Sequence, residues 1–213
     1  MPPTHSEAKR TFDVAELDPV SSYKIGTGLI VPRPIGWIGT ISKDGVRNLA
    51  PFSFFNIMAM HPPTLVFAPV TLGRKDTLTN IEQTGVFTVN VVDETTVAAM
   101  NKTSATVEAT VDEFAHAELT PIKSDTSQAP MVGEAVANFE CTLSQMIPVG
   151  APTSGNDGNG MLIIGEATRI HVAERVISDD LYIDQRELRA VGRHVGNAYS
   201  RSADSLFDID RPV

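Results

Sequence analysis

The 213-residue sequence predicts a mainly β fold, a β-barrel with helical insertions. Three patterns carry this prediction: short β-branched segments recur along the chain, Gly and Pro turn signals separate them, and only a few stretches between them look helical. No linker rich in Pro, Gly and Ser divides the chain. We therefore expect one domain over residues 1–213, with a loosely held polar tail at 1–17.

The first elements of the chain lead into a β-hairpin. Residues 21–30 are predicted to form a short helix, and Pro32-Arg33-Pro34 forces the extended path that follows it. Residues 35–42 and 46–53 are predicted as two strands. They are joined at Gly45, where a hairpin turn requires a positive φ.

A buried strand and a short helix come next. Residues 64–70 form a nearly continuous apolar run, which is typical of a strand covered on both faces. The segment between the hairpin and this run breaks the strand pattern and is predicted as an irregular loop. Residues 76–82 are predicted as a helix that stops near Gly85. An alternating strand at 86–92 follows, and residues 93–118 are predicted as a helix.

The last part of the chain is predicted to contain a strand pair, 135–149 and 161–173. The connection Gly150–Gly160 has neither helix nor strand character. It is long for a hairpin, so we expect a mobile flap or a partly disordered loop.

The composition excludes several classes of partner. The net charge of −9 and the pI near 5.0 argue against nucleic-acid binding, which depends on cationic side chains, and against docking on anionic membranes. The longest apolar runs are too short to span a bilayer. With no signal-peptide pattern and a single cysteine, which cannot form an internal disulfide, the chain fits a reducing compartment. We expect a cytoplasmic protein.

The first candidate binding segment is a basic loop before a helix. Arg74 and Lys75 precede Asp76, the expected N-cap, and Thr77 opens the helix. Unpaired N–H groups at a helix start and the helix dipole both favour an anion such as phosphate. The spacing alone, however, favours the alternative of a solvated basic pair before an ordinary capped helix.

The second candidate segment is Asn48-Leu49-Ala50-Pro51-Phe52-Ser53-Phe54-Phe55-Asn56. A flavin ring needs flat apolar walls together with donors at its polar edge, and this run has both. Taken alone, the three phenylalanines slightly favour an ordinary core segment. A flat aromatic body with a phosphate tail would use both candidate segments, and FMN has this shape.

Other chemistries find little support in the sequence. The five histidines show no metal-ligand spacing, so no metal site is expected. GxSxG, P-loop and CxxC motifs are absent, and Gly26-Thr27-Gly28 lacks the setting of a dinucleotide fingerprint. Cys141 falls in a strand pattern and is predicted to be an inert buried thiol.

The order of the motifs resembles the flavin reductase-like family of FMN-binding split β-barrels. The motifs are RPIGWIGTIS, NLAPFSFFN, HPP, GRKDTLTNI, FTVNVV, GEATRIHV and GRHVGNAYSR, and the resemblance runs from about Tyr23 to Arg201. It implies a homodimer with FMN bound near the subunit interface. It also implies two groups of cofactor-binding residues: Arg74, Lys75, Asp76, Thr77 and Asn80 for the phosphate, and Asn48, Leu49, Ala50, Pro51, Ser53, Phe54 and Asn56 for the ring.

Two departures from the family pattern stand out. Met58-Ala59-Met60-His61 replaces the small hydroxyl residues and acid that often precede the two prolines, which puts one hydroxyl contact to the cofactor in doubt. His194 and Asn197 interrupt the C-terminal motif. His194 is a candidate contact for incoming nicotinamide, and a surface or interface histidine is the alternative.

The resemblance implies an NAD(P)H-dependent flavin reductase, in which hydride passes from nicotinamide to flavin. Its partners would be NAD(P)H and flavin or another small electron acceptor. One alternative is an FMN-binding electron carrier or flavin-binding module without nicotinamide-dependent activity. Another is the pyridoxamine-phosphate oxidase branch of the same fold, whose motifs match less well.

Overall fold

Seven antiparallel strands in the order β2-β1-β5-β8-β9-β4-β3 form the main sheet of the computed structural model, which describes residues 7–70, 75–150 and 160–212. Two two-stranded sheets, β6–β7 and β10–β11, accompany it. The strands are β1 Gly36–Ile41, β2 Arg47–Phe52, β3 Phe55–Met60, β4 Pro63–Phe67, β5 Val86–Val91, β6 Pro121–Ile122, β7 Met131–Val132, β8 Ala137–Val149, β9 Gly160–Val172, β10 Val191–Arg193 and β11 Tyr199–Arg201.

The helices are short and lie between the strands. They are α1 Pro19–Leu29, α2 Asp76–Thr84, α3 Val97–Lys102, α4 Glu113–His116 and α5 Gln185–Leu188, with 3₁₀ turns at Val14–Glu16, Glu174–Val176 and Ser202–Ser205. Within the described ranges, no helix has the length and apolar character that a membrane span requires. The mainly β architecture predicted from the sequence is therefore confirmed.

Two glycines in the left-handed region confirm two predicted chain reversals. Gly45 has φ 86° in the turn between β1 and β2, and the hydroxyl of Ser42 accepts N–H groups on the far side of this turn. Gly85 has φ 71° and ends α2, with its N–H donated to the carbonyl of Ile81. A Cβ atom is strained at such a φ, so glycine suits both positions.

The segment predicted as an irregular loop before the two prolines is a strand. β3 pairs antiparallel with β4 and has a register shift between Ile57 and Ala59. It is an edge strand, and most of its residues are exposed. Its position depends on backbone pairing with the buried β4, so its side chains show no alternation that sequence analysis could detect.

The long helix predicted over residues 93–118 is also wrong. Only α3 and α4 are helical there. The side chain of Asp93 accepts bonds from Thr95 and Thr96 and so forms a turn before α3. The side chain of Asp112 caps α4. These local bonds compete with a continuous helix and leave an irregular loop between the two short ones.

Two clusters of buried side chains form the core. One lies between the strands and α2 and includes Phe67, Phe87 and Ile163; the other includes Trp37, Leu49 and Phe114. β2 contributes to both clusters, since Phe52 packs in the first and Leu49 in the second. The strand is thus packed against the first cluster on the face of Phe52 and Ala50 and against the second on the face of Leu49.

Buried Arg33 connects distant parts of the chain. Its guanidinium donates to the carbonyls of Thr27 and His194 and to the hydroxyl of Ser53. Its backbone also pairs with Arg193. The cation therefore fixes the end of α1 and the C-terminal segment beside the end of β2.

A second connection uses the buried carboxylate of Glu140 on β8. It accepts the N–H groups of Asp125 and Thr126, the Thr126 hydroxyl and a His171 ring nitrogen 2.8 Å away. Asp125, Glu140 and His171 bring potential metal-ligand atoms within 4.8 Å of one another, a grouping that spacing along the chain did not indicate. In the structure, the hydrogen bonds of Glu140 attach the loop containing Thr126 to the long β8–β9 pair.

We expect the Glu140 carboxylate to stabilise the fold in a pH-dependent manner. Burial alone would raise its pKa, but the hydrogen bonds from Thr126, Asp125 and His171 outweigh burial and lower the pKa from 4.5 to about 2. The stabilisation is therefore present above pH 4.5 and is lost as the pH falls towards 2. Glu140→Gln should lower the free energy of unfolding by about 3 kcal/mol at neutral pH.

Urea unfolding near neutral pH and at low pH tests this expectation, and the wild type and Glu140→Gln should converge as the pH falls. Glu166→Gln, at an exposed position on β9, is the matched control and should change stability by less than about 0.5 kcal/mol. A stability difference for Glu140→Gln that stays the same at low pH would contradict the role of the charge.

Cys141 should not react with thiol reagents in the folded protein. Its side chain is 1% exposed, and burial raises the pKa of the thiol to about 12. Since the thiolate is the reactive form, an aromatic disulfide reagent should modify the chain only after unfolding in urea. The chain has one cysteine, so the absorbance released reports this site alone. Rapid labelling without urea would show that the strand pair opens.

Candidate functional site

A cavity of about 630 Å³ lies at the end of β2. β2 and the residues that follow it form one wall, the start of α2 forms another, and the loop between α3 and α4 forms a third. The lining residues include Asn48, Ala50, Pro51, Phe52, Ser53, Phe54, Lys75, Asp76, Thr77, Glu108 and Glu113. Residues of both segments proposed from the sequence thus lie on one cavity, although Asn56 and Arg74, where the segments come nearest in the chain, are 18 positions apart.

The first wall combines apolar and polar groups because β2 ends here. Ala50, Pro51 and Phe54 supply apolar surface. Ser53 adds a hydroxyl, which accepts the Nε–H of Arg33 at 3.2 Å. The ring of Tyr23 from α1 lies 6.5 Å from that of Phe54 and extends the aromatic surface. This wall suits a flat ring with polar edges.

The second wall is the N-terminus of α2. Lys75, rather than the predicted Asp76, is the N-cap residue, and its side chain makes no capping bond. Asp76 is instead the first helical residue. Within the described part of the chain, no capping side chain occupies the first N–H groups of the helix, and Lys75 adds a cation beside them. Both features favour an anion.

Asn48 links these two walls to a third element. With its amide oriented so that each atom faces a complementary partner, Nδ2 donates to Oε2 of Glu113 at 3.0 Å. Oδ1 then accepts the hydroxyl of Thr77 at 3.1 Å. The backbone N–H of Leu49 also donates to Glu113 Oε2, at 2.6 Å. One amide thus joins β2, the start of α2 and the start of α4.

Sequence analysis missed Glu113. Glu113 is 7% exposed, yet it lines the cavity. Burial raises the pKa of its carboxyl to about 7, against the lowering effect of the Leu49 hydrogen bond. The one local signal was Asp112, whose side chain caps the helix that Glu113 begins. A helix predicted to run continuously over residues 93–118 leaves no place for a cap at Asp112.

The loop between α3 and α4 is anchored at both ends. The indole N–H of Trp37 donates to the hydroxyl of Thr103 at 2.9 Å in the core. At the other end, the guanidinium of Arg47 pairs with the carboxylate of Asp112. Residues 103–109 consequently stay over the cavity, a position that sequence analysis did not assign to them.

Some predicted site residues lie elsewhere or outside the described residues. Leu49 is fully buried in the core, and only its backbone contacts the site. Asn56 is exposed and bonds to the next backbone N–H, and Asn80 is buried and donates to Thr40. Arg74 lies outside the described residues, as do residues 151–159 of the predicted flap.

A smaller cavity of about 190 Å³ adjoins the first and shares Pro51, Ser53 and Ser104 with it. Arg193 lies over the ring of Tyr199, with its guanidinium carbon 4.5 Å from the ring centre, and both residues line this cavity. His194 is on neither lining, and its Nε2 is buried without a partner among the described residues. Its contact with nicotinamide stays a prediction.

Comparison with known proteins agrees with this architecture. The model of the flavin reductase like domain family matches residues 28–192. An uncharacterized protein of Aquifex aeolicus is 38% identical over 194 residues, which is 90% of this chain and 95% of that protein.

Solved structures show the same fold. The nitrilotriacetate monooxygenase component B of Bacillus cereus superimposes with a TM-score of 0.91 and 34% identity, covering 96% of this chain and 100% of that chain. The 2-nitrobenzoate 2-nitroreductase NbaA of Pseudomonas fluorescens gives a TM-score of 0.84 and 26% identity over 95% and 96% of the two chains. A Shewanella frigidimarina protein with a split barrel domain gives 0.79 at 23% identity over 93% and 96%. The chain therefore belongs to the flavin reductase-like family of split β-barrel proteins.

Proposed function

We propose that this protein binds FMN and is an NAD(P)H-dependent flavin reductase. The observation that carries the proposal is the single cavity that joins an aromatic and apolar wall to an anion-favouring helix start. Family membership supports a flavin-linked oxidoreductase. The helix start on the cavity supports the choice of a flavin that carries a phosphate.

The residues fit FMN at both ends of the cavity. The phosphate would lie at the start of α2, with Lys75 as a donor beside the first N–H groups of the helix and Arg74 next in the chain. The ring would lie against Ala50, Pro51 and Phe54. The volume of about 630 Å³ falls within the range of roughly 300–1,000 Å³ that small-molecule sites occupy.

Bound FMN would supply the hydride chemistry, because its ring accepts a hydride from nicotinamide. The chain's own residues would bind and orient it. Ser53 is held by Arg33, so its hydroxyl has a fixed position at the ring end. The loop anchored by Trp37 would exclude water from the cavity.

The relatives guide the choice of partners. The names of two solved relatives describe a monooxygenase component and a nitroreductase. We propose NAD(P)H as the donor and a flavin or another small acceptor as the recipient. We also propose one domain, a homodimer with the flavin near its interface, and a cytoplasmic location that suits a chain with one cysteine.

Anaerobic mixing with NADH or NADPH tests the activity. The FMN-loaded protein should lose its visible flavin absorbance within seconds with at least one nicotinamide, because hydride transfer reduces the ring. Free FMN mixed with the same nucleotide is the control. Stable binding of FMN without bleaching would instead favour the electron carrier, and failure to bind FMN would contradict the proposal.

The Lys75→Ala variant tests whether Lys75 binds the phosphate of FMN. Loss of a charge-assisted hydrogen bond should cost about 1.5–3 kcal/mol, or roughly 10- to 150-fold in FMN affinity. Riboflavin has no phosphate, so its dissociation constant should hardly change. Lys43→Ala, in the exposed turn between β1 and β2, is the matched control for loss of one positive charge. Equal losses for FMN and riboflavin would mean that Lys75 acts through the fold.

A further inference from the structure

Glu113 lines the cavity near the start of α2, where the phosphate is proposed to lie. Asn48 contacts both Glu113 and Thr77, at 3.0 and 3.1 Å. The carboxyl and the second residue of α2 are therefore separated by a single amide group. An anion bound at the helix start would come close to the Glu113 carboxylate.

A phosphate bound at the start of α2 and the Glu113 carboxylate would repel each other strongly. Glu113 has 7% exposure, so water screens it little. Its two hydrogen bonds, from the Leu49 N–H and the Asn48 amide, both end on Oε2.

Among the described residues, acids outnumber cations in the charged surroundings of Glu113. Asp76 at the start of α2 raises the carboxyl pKa, as does its neighbour Asp112, while Lys75 lowers it. The carboxylate of Asp112 is paired with Arg47 of β2, so this guanidinium is committed elsewhere. Glu108, in the loop over the cavity, adds another acid on the lining.

We propose that Glu113 takes up one proton from solvent when a phosphate-bearing flavin binds, so that the complex contains a neutral carboxyl at this position. The inference rests on the proposed binding of FMN. A neutral carboxyl carries one O–H donor, which can serve an anionic ligand, whereas a carboxylate can only accept. Glu113 would thus make the affinity of the site depend on pH.

The resting state of Glu113 makes this uptake measurable near neutral pH. Its pKa of about 7 in the free protein means that most molecules are ionised at mildly alkaline pH. The FMN phosphate, with a second pKa of about 6, is already dianionic there. The apparent dissociation constant for FMN should consequently rise roughly tenfold between about pH 7 and pH 8.5.

Calorimetric titration with FMN in buffers of different ionisation enthalpy counts the protons directly. At about pH 8, the wild type should take up nearly one proton per FMN. Glu113→Gln, a close isostere without charge, should take up almost none and should bind FMN with an affinity that no longer falls with pH. Glu166→Gln, which removes an exposed acid on β9 away from the cavity lining, should keep the wild-type proton uptake.

The outcomes separate the two proposals. FMN binding by the wild type without proton uptake would overturn the role of Glu113 alone, and this result needs no variant. Undiminished uptake in a folded Glu113→Gln protein would also overturn it, as would equal uptake with riboflavin, which has no phosphate. Absence of FMN binding at every pH would contradict the proposed function itself.

Discussion

The contact of Asn48 with Thr77 and Glu113 determines how the candidate site is assembled. These three side chains come from β2, α2 and α4, which are far apart in the chain, and one amide joins them within hydrogen-bonding distance. An amide suits this position because it can donate to a carboxylate and accept from a hydroxyl at once. The cavity is the space that these three elements enclose beyond this contact.

Two buried glutamates show how their surroundings set the pKa of a carboxyl group. Glu140 accepts bonds from two backbone N–H groups, a hydroxyl and an imidazole, and its pKa falls to about 2. Glu113 accepts from one backbone N–H and one amide, beside Asp76, and its pKa rises to about 7. Burial opposes ionisation in both. At Glu140 the hydrogen bonds outweigh burial, whereas at Glu113 burial, together with the charge of Asp76, outweighs the Leu49 hydrogen bond. The first carboxylate serves stability, and the second can change its charge on binding.

Local patterns predicted the elements whose cause is local. Gly45 and Gly85 mark reversals because their backbone angles suit glycine, and the apolar run that contains Phe67 is a buried strand. The edge strand β3 and the interruption between residues 102 and 113 were missed. β3 is a strand because it pairs with β4. The helix is interrupted because local side-chain bonds, such as those of Asp93, compete with it.

Residue types and their order are enough to predict the mainly β class, the family and the two segments that contribute to the cavity. Which side chains meet there depends on the tertiary fold. Leu49 turns into the core while its neighbours Asn48 and Ala50 face the cavity, since successive residues of a strand point to opposite sides. Glu113 joins them from 64 positions further along the chain. Such a contact depends on packing across the sheet, which no local pattern records.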